Sequence, residues 1–143
     1  TLADCRKGIK KVERKLKTVT VEGITYYFSE EMTSRKPVSG VMDMLPIYDE
    51  YIMGYKDRSP ILEFRNKLSS PPQFQFLCTL VYDGQIMGTW RREVVKNKLE
   101  IAVQFFMPPT KRQLTAFKKA TGRLEEFSEM EVRISGLGKN WKK

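Results

Sequence analysis

The sequence predicts an α+β fold, on three observations. A basic helical pattern runs directly into a β-hairpin near the start of the chain. The strongest β signal comes later, in FQFLCTLVYDGQIMGTWRREVV and KLEIAVQFF, and an amphipathic helix follows it. The expected architecture is a helix with its hairpin, then a small antiparallel sheet or partly closed β-barrel with flanking helices.

Residues 2–17 place Cys5, Ile9, Val12 and Leu16 at i, i+4, i+7 and i+11, one apolar stripe at helical period. Thr1 suits the N-cap, and Asp4, three residues on, completes a capping-box-like pair near the positive helix end. Gly8 weakens the middle of this helix by roughly 1 kcal/mol relative to Ala. Residues 18–28 follow as a hairpin, because TVTV and ITYYF are β-rich and Glu22-Gly23 supplies a tight turn. A basic helix running straight into a hairpin is the second half of a winged-helix module, a helix plus its wing. Its first two helices are expected upstream of Thr1.

Residues 29–40 are polar, contain Pro37 and Gly40, and read as a linker, with a short strand at 41–45. In PIYDEYIMGYKDRSPILEF, Tyr48, Tyr51 and Tyr55 fall at i, i+3 and i+7, so a short helix ending near Gly54 would put these aromatics on one face. Pro60 suits the first turn of a second short helix reaching about Lys67. Asp83-Gly84 is a preferred type I′ pair, and a second turn near Lys96-Asn97 completes a three-stranded antiparallel meander. Pro108-Pro109 stops it. Thr110 then caps a helix to about Glu129, with Leu114, Phe117, Ala120, Thr121, Leu124 and Phe127 on its apolar face. Residues 131–134 return as an edge strand. The expected organisation is a winged-helix half at 1–28, linker and short strand at 29–45, and a sheet or barrel domain with a C-terminal helix at 46–143.

Composition narrows the function. Hydrophobic residues make up 41% of the chain, enough for a core, so intrinsic disorder is not expected. No apolar run approaches the roughly 18 residues that cross a bilayer, and no signal peptide is visible; a cytoplasmic protein without a membrane partner is expected. The chain has no histidine. Hydrolysis by serine or cysteine with a histidine base is excluded within it, as is histidine-ligated metal chemistry. Cys5 and Cys78 lie far apart and form no metal-spaced pair, so two reduced, mostly buried thiols are expected. No catalytic residue, metal site or cofactor is predicted.

The net charge of +9 favours polyanionic partners through counterion release. It is concentrated: residues 1–17 hold Arg6, Lys7, Lys10, Lys11, Arg14, Lys15 and Lys17 against only Asp4 and Glu13. Arg6, Lys7, Lys10, Lys11, Arg14 and Lys17 are candidate phosphate contacts in or along a groove; the alternative is the solvated face of an amphipathic helix. The helix has no Asn or Gln to read adenine, so base readout would rest on Arg6 and Arg14. In Gly88-Thr89-Trp90-Arg91-Arg92, Trp90 beside Arg91 and Arg92 can stack a base or hold a phosphate, or Trp90 can simply pack. Asp49, Glu50, Asp57 and Arg58 are explained better by capping and ion pairing than by acid–base chemistry.

Taken together, LADCRKGIKKVERKLKTVTVEGITYYF, DMLPIYDEYIMGYKDRS and LVYDGQIMGTWRR resemble, in this order, the C-terminal part of bacterial winged-helix DNA-binding proteins of the AlkZ/YcaQ-like DNA glycosylase superfamily. The likeness runs from about Leu2 to Arg92 and more loosely to about Phe127. It implies tandem winged helices followed by a small β-barrel-like domain. It implies double-stranded DNA and the upstream winged-helix domains of the same protein as partners. It also implies a role in removing alkylated or crosslinked bases. The family's catalytic Gln-x-Gln or Gln-x-Asp motif lies far N-terminal to this stretch. Gln73-Phe74-Gln75 matches it as a string but precedes the second hairpin block, so no catalysis is carried onto it. The competing expectation is a structural domain that packs on upstream helices without touching DNA.

Overall fold

The computed structural model describes residues 1–21, 23–29, 38–62 and 76–135. They fall into two units, Thr1–Pro37 and Val38–Lys143. Gln73-Phe74-Gln75 and the stretch leading to Lys67 lie outside the described residues.

In the first unit, Thr1 and Asp4 form the predicted capping box, with the Asp4 backbone N–H donating to Thr1 Oγ1 at 3.3 Å. Helix α1 spans Leu2–Val12. It is shorter than the periodicity predicts: a single 3-10 turn, Glu13–Lys15, follows, and Leu16 is already extended. The reason is strand pairing. Strands β1 (Leu16–Val21) and β2 (Ile24–Ser29) pair antiparallel from Leu16↔Ser29 to Val21↔Ile24, so the ladder claims residues whose local pattern is helical. Gly23 has φ +80°, which its missing Cβ permits.

The second unit is built on five strands: β3 (Met42–Leu45), β4 (Cys78–Tyr82), β5 (Gln85–Val95), β6 (Lys98–Phe105) and β7 (Val132–Ser135), adjacent in that order. Both predicted turns form, with φ of 48° and 81° at Asp83-Gly84 and 49° and 61° at Lys96-Asn97, the left-handed pairs of type I′ geometry. β3 to β6 are antiparallel neighbours, but β7 runs parallel to β6. The sheet is therefore mixed, and it is open, with β3 and β7 as its edges; a closed barrel does not form among the described residues. The parallel pairing follows from the crossover between β6 and β7, helix α3 (Lys111–Ser128), capped by Thr110.

The core lies on both sheet faces. On one, Met42, Leu80, Trp90, Leu99, Ile101 and Val103 pack with Ala116, Phe117 and Ala120 of α3. Each fully buried side chain of this size contributes roughly 1.5–3 kcal/mol. On the other, Val81 and Ile86 pack with Ile52 and Leu62. The predicted apolar stripe of α3 is packed only as far as Leu124; Phe127, on the same stripe, is 86% exposed.

The predicted tyrosine helix is reduced to one turn, α2 (Glu50–Met53). Asp49 caps it by accepting from the Tyr51 N–H at 2.9 Å. Tyr48 has φ +58° and lies outside it, so the three tyrosines do not share a helical face. Tyr48 instead meets Phe76 edge-to-face at 5.8 Å. Asp57 accepts from the Ser59 N–H at 2.9 Å, and Arg58 donates to the Ile52 carbonyl at 2.8 Å. Capping and backbone bracing thus occupy Asp49, Asp57 and Arg58.

Candidate nucleic-acid interface

Arg6, Lys7, Lys10 and Lys11 lie on α1, Arg14 in the 3-10 turn after it, and Lys17 on β1; all are exposed. At helical spacing Arg6 and Lys10 form one row and Lys7 and Lys11 another, both turned from the stripe of Cys5, Ile9 and Val12. Asp4 lies in the first turn and Lys10 and Lys11 in the last, an arrangement the helix dipole favours. The Asp4 carboxyl is held below its usual range by the hydrogen bond from the Thr1 hydroxyl. α1 buries no residue: Leu2 is 68% exposed and Val12 44%. Cys5, expected to be buried, is an exposed thiol, and Cys78 is half-buried; both are free.

The second predicted cluster separates into its parts. Trp90 is 6% exposed and its Nε1–H donates to the Leu45 carbonyl at 3.0 Å, so its ring packs in the core. Arg91 and Arg92 are exposed where β5 continues past its pairing with β4, which ends at Trp90. Arg91 borders a shallow cleft of about 290 Å³ with Leu77, Thr89 and Gln104. Trp90 lines the same cleft, while Arg91 and Arg92 are surface cations.

One basic feature escapes the sequence reading. Lys111, Arg112 and Lys119 of α3 line an open cleft of about 370 Å³ with Thr115, Tyr82 and Ser39. Its signal is the run KRQLTAFKKATGR, which holds five cations and no carboxylate, interleaved with the helix's apolar stripe. Among the described residues no group of His, Cys, Asp or Glu could hold a metal ion. No helix there is long and apolar enough to cross a membrane.

The likeness in sequence extends to almost the whole chain: residues 1–127 match the model of the AlkZ-like DNA glycosylases. The chain belongs to this family. Among solved structures, the DNA glycosylase AlkZ of Streptomyces sahachiroi shares its fold with a TM-score of 0.61 at 23% identity, over 94% of this chain and 38% of that one. The AlkZ-like chain described here therefore spans 38% of the length of the structure it matches. No curated protein matches it.

Proposed function

We propose that this chain is the DNA-engaging C-terminal part of an AlkZ-like glycosylase. In this reading, α1 and the β1–β2 hairpin are the recognition helix and wing of a winged helix. They rest on the duplex backbone through Arg6, Lys7, Lys10, Lys11, Arg14 and Lys17. The second unit braces the DNA or neighbouring domains, with Arg91 and Arg92 as further phosphate contacts. The observation that carries the reading is the exposed basic surface of α1, in a chain that matches a DNA glycosylase family over residues 1–127. The stripe of Cys5, Ile9 and Val12, none of them fully buried, supports the bracing of neighbouring domains. A recognition helix needs helices packed on its apolar side, and upstream winged-helix domains of the same protein would supply them.

Because α1 offers no Asn or Gln, binding is expected to follow charge rather than base sequence. Titrating two fluorescent duplexes of unrelated sequence tests this. Indistinguishable affinities that weaken steeply with salt support the reading. Absence of duplex binding at low salt, or binding confined to one sequence, contradicts it.

A further inference from the structure

The polar side of α3 carries charge that the fold does not use. From Lys111 to Arg123 the helix holds five cations and no carboxylate. One is consumed structurally: Arg123 donates to the Met42 carbonyl at 2.8 Å and lies 3.5 Å from the Asp43 carboxylate. Lys111, Arg112 and Lys119 are exposed, and no acidic side chain among the described residues pairs with them. Lys111 and Arg112 also sit in a first turn that has no acidic residue, at the positive end of the helix dipole, where a cation is disfavoured. The helix dipole favours Lys10 and Lys11 at the end of α1, whereas it opposes Lys111 and Arg112 at the start of α3.

These three cations converge on one feature, the cleft of about 370 Å³ that they line with Thr115, Tyr82 and Ser39. Lys111, Thr115 and Lys119 follow at i, i+4 and i+8 on one helical face. The two lysines are about 12 Å apart along the axis at ~1.5 Å per residue, enough to meet two non-adjacent phosphates of one strand. An open, cation-lined cleft suits an extended polyanion better than an enclosed apolar ligand.

We propose that this cleft binds phosphate oxyanions of a nucleic-acid backbone, giving the second unit a phosphate-binding surface besides Arg91 and Arg92. The proposal rests on the DNA-binding reading above for the source of the phosphate. Inorganic phosphate offers the same chemistry, and the test separates the two.

The 143-residue chain is titrated with a labelled duplex across a salt series. It is compared with the triple variant K111Q/R112Q/K119Q, the single variant Lys119→Gln, and K10Q/K11Q on α1. Lys118→Gln, on the same helix outside the cleft, controls for net charge. The triple variant is expected to reduce the slope of log K against log salt by about 2.7, and Lys119→Gln by about 0.9, at ~0.9 per phosphate. Lys118→Gln is expected to leave the slope unchanged. The triple variant's unfolding temperature should be no lower than that of the wild type, since two of the removed charges oppose the dipole. The single variant carries the test should the triple variant fail to fold. An unchanged slope in Lys119→Gln and the triple variant overturns the proposal. If K10Q/K11Q lowers the slope in that experiment, the DNA reading survives alone; if wild type binds no duplex, both fall. Backbone amides of residues 111–119 that shift with inorganic phosphate, while the duplex slope stays unchanged, overturn the backbone assignment in favour of a free-phosphate site.

Discussion

Trp90 carries two obligations that a surface aromatic could not meet together. Its ring fills the core under α3, and its indole N–H satisfies the Leu45 carbonyl. Trp90→Ala is expected to cost roughly 3–5 kcal/mol of stability in denaturant unfolding. Trp90→Phe keeps most of the packing but strands the Leu45 carbonyl, for about 1–3 kcal/mol. A Trp90→Ala chain as stable as wild type would place the ring outside the core. Two residues earlier, Gly88 is required by proximity: a Cβ there would lie 2.3 Å from the Gln104 carbonyl oxygen on β6. Gly88→Ala forces the strands apart and is expected to cost roughly 1–3 kcal/mol, read as a lower unfolding temperature. A wild-type unfolding temperature would contradict the close approach.

Among the elements, the two central blocks of the family pattern interlock. The Tyr51 hydroxyl donates to the Gly84 carbonyl at 2.7 Å, and Gln85 donates to the Pro60 carbonyl at 2.9 Å. Asp83 accepts from the Gly40 and Val41 N–H groups at 2.7 and 3.0 Å. Much of the Asp49–Arg58 and Asp83–Trp90 pattern is therefore structural. Elements whose signal is local were legible in the sequence: the Thr1 and Thr110 caps, and the Asp83-Gly84 and Lys96-Asn97 turns. Those decided by distant partners were not. Strand pairing took Leu16 and Lys17 from the helix, and the α3 crossover turned β7 parallel. β7 is secured by Glu131, which pairs with Lys98 at 2.5 Å and with Arg133 at 3.0 Å. The Lys98 hydrogen bond, then that of Arg133, holds the Glu131 carboxyl below its ordinary value of 4.5. A lowered carboxyl stabilises the fold fully above that value and loses its contribution as pH falls through the lower folded value. Glu131→Gln should accordingly lower the unfolding temperature near neutral pH, and the gap from wild type should close in acid. A gap independent of pH would mean that the pairing does not hold β7. The effect is small because all three side chains are partly solvated.

For the whole molecule, the candidate site was only half legible. The charge of residues 6–17 stands in the primary sequence, whereas the Lys111–Arg112–Lys119 cleft needed the fold to bring Ser39 and Tyr82 beside α3. Trp90 was ambiguous because strand alternation alone does not say which face is wet. Gln73-Phe74-Gln75 stands directly before the second hairpin block, not far N-terminal to the family blocks as the family's motif does, so no base removal is expected from it. Incubation with alkylated duplex should release no base. Release abolished by Gln73→Ala or Gln75→Ala would show that the catalytic pair lies here after all. The central claim is that α1 rests on phosphates, and the salt dependence of duplex binding by K10Q/K11Q tests it most directly. Four of the six proposed contacts, Lys7, Lys10, Lys11 and Arg14, by themselves contribute a slope near −3.6, on the order of 100-fold weaker binding from 50 to 200 mM salt. The double variant is expected to reduce the slope by about 1.8 with the fold intact. A slope equal to that of wild type would contradict the account and leave α1 as a solvated face.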